Sequence, residues 1–275
     1  MKTLLILTDF SQAATHAAKY ATFFAKQLGI DRIILFNKLQ SITSIATTPL
    51  ISDKASQAKE EAVINLKNLV NELKFLKQTN TELFFLAKEG SLDDLTNEMI
   101  SKYQVDFIVM GLTGKSKLEQ TLIGSNTIQL SKTISKPLLI IPETTKLTPI
   151  TKVAVFVDPQ DLRQVNAIKL LNTLFLHHTE LHILSHENDH TPIKSLHNHN
   201  RSSIREKLAL YKPTYHNMNG IDIVEEILDF VNTHDISLII HIEKKRNLFE
   251  NLFLTDITER MAYVTKIPLL LIKQT

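Results

Sequence analysis

The sequence predicts a doubly wound α/β protein built from two copies of one unit. Short, continuous apolar runs alternate with longer segments of helical periodicity. The whole pattern recurs once along the chain. A glycine-rich loop follows one of the apolar runs, in a chain with only six glycines among 275 residues. Continuous apolar strands such as Leu4–Leu7 are what a parallel sheet covered on both faces requires. Right-handed crossovers between them give a layered α/β sandwich.

In the first copy, strands are predicted at 3–8, 32–37, 82–86, 105–110 and 138–141. The first run stops at Asp9, the fourth is bounded upstream by polar residues, and the fifth follows Pro137. Helices are predicted between them at 12–28, 54–78, 92–102 and 124–135. The second helix is polar on one side and carries Val63, Leu66, Leu69, Val70 and Leu73 at helical spacing.

The second copy repeats these signals. Thr151–Asp158 repeats Lys2–Asp9 as a strand ending in Asp, 149 positions later. Asn219-Gly220 repeats Glu89-Gly90 at an offset of 130, and Pro268 repeats Pro137 at 131. The second copy is therefore 19 residues shorter before its glycine and nearly unchanged after it. Such self-similarity marks a duplicated supersecondary unit. Pro142 and Pro149 bracket a polar link, giving domains at residues 1–145 and 150–275.

Composition bounds the function. Apolar content of 43% and charged content of 22% are ordinary globular values. A net charge of +2 without a long basic run argues against a nucleic-acid partner. With no cysteine, thiol chemistry and disulfides are excluded. Residues 4–7 are apolar but are stopped by Asp9, too short a run for a leader or a membrane span. A cytoplasmic protein without a membrane partner is expected.

The loop reads Met110-Gly111-Leu112-Thr113-Gly114, then nine residues, then Gly124-Ser125-Asn126. A strand that empties into such a loop and then a helix start can cradle phosphate on backbone N–H groups. The alternative is a pair of ordinary turns. A Walker A loop fails, because its first glycine would fall at Val109. A Rossmann fingerprint fails, because the third glycine would fall at Lys117.

The remaining Gly-x2-Gly-x9-Gly-Ser pattern resembles the nucleotide-binding signature of the universal stress protein family. Thr8-Asp9-Phe10-Ser11, Glu89-Gly90-Ser91 and Lys136-Pro137-Leu138-Leu139-Ile140-Ile141-Pro142 match it in order across residues 1 to about 144. The resemblance is to tandem two-domain members and implies strand order 3-2-1-4-5. In that order the tips of strands one and four meet where the winding reverses, and ligands bind at such a point. The resemblance implies adenine-nucleotide binding through Asp9, Lys38, Met110, Gly111, Gly114, Gly124, Ser125 and Asn126. Lys38 would touch the base through its main chain, although the family usually has an apolar residue there, preceded by His; this chain has Asn37-Lys38. Asp9 would repel phosphates, so its ligand role lies with the sugar or base. The competing role for Asp9 is a turn or N-cap for helix 12–28.

In the second copy Gly111, Gly114, Gly124 and Ser125 align with Ile242, Lys245, Thr255 and Asp256. The loop chemistry is gone while the fold pattern persists. The same half holds ten of the eleven histidines. No ordered metal-ligand spacing joins them, zinc is not expected, and scattered surface histidines are the reading adopted.

The function expected is an ATP-binding regulatory or stress-response protein, with ATP (with or without Mg) in the first domain only. It is not expected to be an enzyme beyond weak ATP hydrolysis. The alternatives are a slow ATPase or other adenylate-handling enzyme, and a ligand-free structural or dimerisation protein. Strands 138–141 and 269–272 lie at sheet edges in that order. The resemblance implies that such edges meet across a dimer axis in single-domain members, and with both copies in one chain joined by a short link they are expected to pair within the chain. A homodimer of the full chain is left open.

Overall fold

The computed structural model describes residues 1–39, 49–112, 125–157, 179–186, 206, 208–243 and 255–273. They fall into two compact units that divide between Glu143 and Thr144.

The first unit runs β1 (Thr3–Leu7), α1 (Gln12–Leu28), β2 (Arg32–Leu39), α2 (Pro49–Leu73), β3 (Glu82–Glu89), α3 (Leu92–Tyr103), β4 (Phe107–Leu112), α4 (Ser125–Thr133) and β5 (Leu138–Pro142). All its strand pairings are parallel, in the order β3-β2-β1-β4-β5. This is the order that the resemblance implies. β1 and β5 are buried along their whole length, as continuous apolar runs demand.

Helix α1 is alanine-rich, and that composition sets its position. Alanine is the best helix former, and Ala13, Ala14, Ala17, Ala18, Ala21 and Ala25 are all buried. With so little side chain between them, the helix lies close against β4, β1 and β5. It starts at Ser11, whose side chain accepts the Ala14 N–H, and stops at Gly29, which takes the left-handed conformation at φ 62°.

Helix α2 differs from expectation at both ends, beginning at Pro49 and ending at Leu73. Leu66, Leu69, Val70 and Leu73 are buried, whereas Phe75 is 92% exposed. Residues 74–76 form a turn in which the Leu76 N–H donates to the Leu73 carbonyl at 3.0 Å, ending the helix.

The second unit runs β6 (Lys152–Val157), β7 (Glu180–His186), a 3-10 turn (Ala209–Tyr211), β8 (Thr214–Met218), α5 (Ile223–Thr233), β9 (Leu238–Glu243), α6 (Thr255–Val264) and β10 (Leu269–Lys273). Its parallel order, β8-β7-β6-β9-β10, is the same winding. Register bears out the repeat. Ile6 pairs with Val109 in the first unit, and Val155 pairs with Ile240 in the second. Each of these differs by the offset read from the sequence, 149 for β1 and 131 for β4. Even the proline carbonyls match: Pro137 accepts from Ile108 and Pro268 from Ile239.

Candidate functional site

The site is built where the winding of the first unit reverses. β1 stands between β2 and β4, with Leu7 level with Phe36 and Ile6 level with Val109. Two residues further on stand Asp9, just past β1, Lys38, next to last in β2, and Gly111, next to last in β4. Three of the sequence-predicted residues thus lie at the carboxyl ends of three adjacent strands, where an open α/β sheet takes its ligands.

The β1 tip is held by short hydrogen bonds. Thr8 N–H donates to the Phe36 carbonyl at 2.9 Å. The buried Asn37 amide donates to the Thr8 carbonyl at 2.8 Å, fastening the β2 tip to the β1 tip. Phe10 N–H donates to Thr8 Oγ1 at 3.1 Å, and Phe10 takes a positive φ of 65°. Asp9 Oδ1 accepts the Ser11 N–H at 3.0 Å, and Ser11 Oγ caps Ala14 at 3.2 Å. Asp9 is thus a turn-former one step removed from the cap. Its carboxylate is solvent-exposed, as is Lys38.

Gly111 has a packing reason of its own. A Cβ there would lie 2.4 Å from the Ala13 carbonyl oxygen and 2.7 Å from Ala14 N. Both are backbone atoms in the first turn of α1, so no rotamer change relieves the contact. Glycine is what lets the α1 N-terminus sit against the β4 tip. Helix N-termini carry a partial positive charge and favour anions, so this approach places an anion-favouring end beside the β4 tip.

Met110 is buried within β4. Gly114 and Gly124 lie outside the described residues. Ser125 and Asn126 open α4. At the corresponding level of the second unit stands Ile242, 1% exposed.

The second unit holds a group that sequence reasoning missed. His182 on β7, His216 on β8 and His234 just past α5 pack ring to ring, with centroids 5.4 to 5.8 Å apart. The expectation of scattered surface histidines is corrected for these three. The signals were a histidine inside the apolar run of β7 and the i, i+4 spacing of Phe230 and His234, whose rings stack at 3.9 Å. Among the described residues, no group of three or more His, Cys, Asp or Glu is arranged to hold a metal ion. No helix among them is long and apolar enough to cross a membrane.

The parallel order and the reversal of winding define a doubly wound α/β unit, and the comparisons with known proteins give the family. The model of the universal stress protein family matches residues 1–142, so the chain belongs to that family. Two curated relatives come from Methanocaldococcus jannaschii. Universal stress protein MJ0577 is 30% identical over 153 residues, 51% of this chain and 94% of that protein. Universal stress protein MJ0531 is 28% identical over 149 residues, 53% of this chain and 84% of that protein. The crystal structure of a universal stress protein from Archaeoglobus fulgidus superposes with a TM-score of 0.72 at 17% identity. It covers 99% of this chain and 98% of its own, which shows the fold over both halves.

Proposed function

We propose that the chain is a cytoplasmic ATP-binding regulatory protein in which the first unit alone holds the nucleotide. The observation that carries this reading is the meeting of Asp9, Lys38 and Gly111 at one reversal point, against Ile242 at the same level of the second unit. Lys38 offers main-chain groups to the base, and Asp9 offers an acceptor to ribose hydroxyls. The glycine-rich loop beyond Gly111, with Gly114, Gly124, Ser125 and Asn126, takes the phosphates. Gly111 itself acts by letting the N-terminus of α1 come near them.

This set of groups binds rather than turns over. Phosphoryl transfer depends on positioned charge and an oriented water. The cations within the loop are Lys115 and Lys117, with one acid, Glu119, and no arginine. A regulatory role, with ATP occupancy as the signal, fits this chemistry better than catalysis.

The test is calorimetry on the full chain with ATP, run with and without magnesium, together with mass spectrometry of nucleotide released on denaturation. One site per chain is expected, abolished by Gly114→Val. Two equal sites, or none, would overturn the proposal.

A further inference from the structure

The histidine group of the second unit plays no part in the nucleotide reading, and its geometry has a consequence of its own. His182 is only 4% exposed. Its Nδ1 lies 3.2 Å from His216 Nε2 and 2.8 Å from Thr214 Oγ1. His216 Nε2 lies 3.2 Å from the same hydroxyl. His234 Nδ1 donates to the Phe230 carbonyl at 3.1 Å. Phe230 closes the group, 4.6 Å from the His216 ring.

Neutral imidazoles satisfy this arrangement. A neutral ring carries one donor and one acceptor nitrogen, so His182 can accept from Thr214 or His216 while keeping N–H on Nε2. A single added proton can be shared between the facing nitrogens of His182 and His216 but leaves a cation in a partly buried site, and a second sets their N–H groups against one another. Three cationic rings within 6 Å would also repel strongly in a partly buried site.

The surrounding charges do not offset this. Glu180 Oε1 lies 3.0 Å from His182 Nε2. It stands off the hydrogen-bonding direction, for that buried nitrogen has no aligned partner. From β6, Lys152 reaches the same region and donates to the His234 carbonyl at 3.1 Å. One carboxylate thus faces three imidazoles and an ammonium group. Burial first, then the neighbouring imidazoles, hold His216 below the ordinary histidine value. Burial also holds His182 below it, with Glu180 opposing and His234 and Lys152 reinforcing.

We infer that the His182–His216 pair, packed against His234 and Phe230, is an acid-sensitive catch: proton uptake by the pair in mild acid loosens the second unit while the first stays folded. The sign follows from linkage. The folded group resists protons that the unfolded chain accepts near pH 6.5. Stability is therefore full above that pH and falls as the pH drops through it, until the folded group also titrates. Each proton taken up only on unfolding shifts the equilibrium up to about tenfold per pH unit. The first unit has a single histidine, His16, against the ten beyond residue 150.

Hydrogen exchange of the full chain, read peptide by peptide by mass spectrometry from pH 7.5 to 5.0 and corrected for intrinsic rates, tests this. Protection in β7, β8 and α5 should fall about 10- to 100-fold between pH 6.5 and 5.5, while β1, α1 and β2 hold theirs. His216→Gln keeps a hydrogen-bonding amide that does not titrate, and should flatten the acid dependence. His182→Gln serves the same purpose should the first variant fail to fold. Flat protection in the second unit, an equal loss in both units, or a full acid dependence retained in the folded variants would overturn the inference. ATP binding does not enter the readout, so failure of the nucleotide proposal leaves this test intact.

Discussion

Gly111→Ala adds one methyl group at the point where β4 meets α1. The ideal Cβ would sit 2.4 Å from the Ala13 oxygen, 2.5 Å from its carbonyl carbon and 2.7 Å from Ala14 N. Non-bonded carbon contacts settle near 3.5 Å, so about 1 Å of separation must be found. The obstructing atoms are backbone, held by the Ser11 cap and by the 2.9 Å bond from Thr15 N–H to the Ser11 carbonyl. The turn must move as a body, away from a strand buried on both sides. Overpacking of this kind costs about 1–3 kcal/mol, occasionally more. For a unit of this size that corresponds to a fall of roughly 3–12 °C in Tm. Because the displaced turn carries Asp9 and the α1 N-terminus, ATP affinity should fall at least tenfold as well. Differential scanning calorimetry without nucleotide and titration with ATP read the two effects separately. Gly114→Val is the contrast, expected to lose ATP with little change in the Tm of the nucleotide-free protein. A Gly111→Ala protein with unchanged Tm would deny the close approach. A lowered Tm with unchanged affinity would show that the ligand does not depend on this juxtaposition.

Asn37→Leu should destabilise the first unit by about 1–3 kcal/mol, because it leaves the Thr8 carbonyl buried without its donor. ATP affinity should fall further than for an equally destabilising change remote from the crevice, and equal effects would refute the positioning role. ATP hydrolysis should run well below the roughly 10 s⁻¹ typical of enzymes. A phosphate-release rate in the normal enzymatic range would reverse the assignment as a binding protein.

Much of the fold was legible because it is written in local patterns. Runs such as Leu4–Leu7 must be buried on both faces, and the Pro137 and Pro268 signals fix the register of the repeat. The site was legible as a set of strand tips but not as a set of contacts. That Gly111 lies under Ala13 depends on how closely an alanine-rich helix settles on a strand 98 positions away, and no periodicity encodes it. The start of α2 was misplaced because residues 56–61 are exposed and carry no apolar stripe that would mark a helix in the sequence. The histidine group stayed hidden for a similar reason. His182 and His216 meet because β7 and β8 are neighbours in the sheet, and His234 joins them only through the packing of α5.

The two units differ at the level of Gly111 in the sheet, and on the proposed one-site reading this argues that repairing the loop of the second would not give it a nucleotide site. Gly111 pairs with Ile141 and Ile242 pairs with Ile272, the same positions in the two copies. Where the first unit has no side chain, the second buries an isoleucine. No backbone can approach Ile242 as Ala13 approaches Gly111, since a Cβ already occupies that space. The change therefore reaches from loop chemistry into the core. Ile242→Gly removes the Cβ with the rest of the buried side chain and should cost at least about 2–5 kcal/mol as a cavity, with no ATP site gained. Calorimetry on that variant should still find one site per chain, alongside a lowered Tm. Restoration of a second site would show that the isoleucine alone blocks an otherwise intact crevice, and that the second unit kept more of the nucleotide chemistry than its sequence suggests.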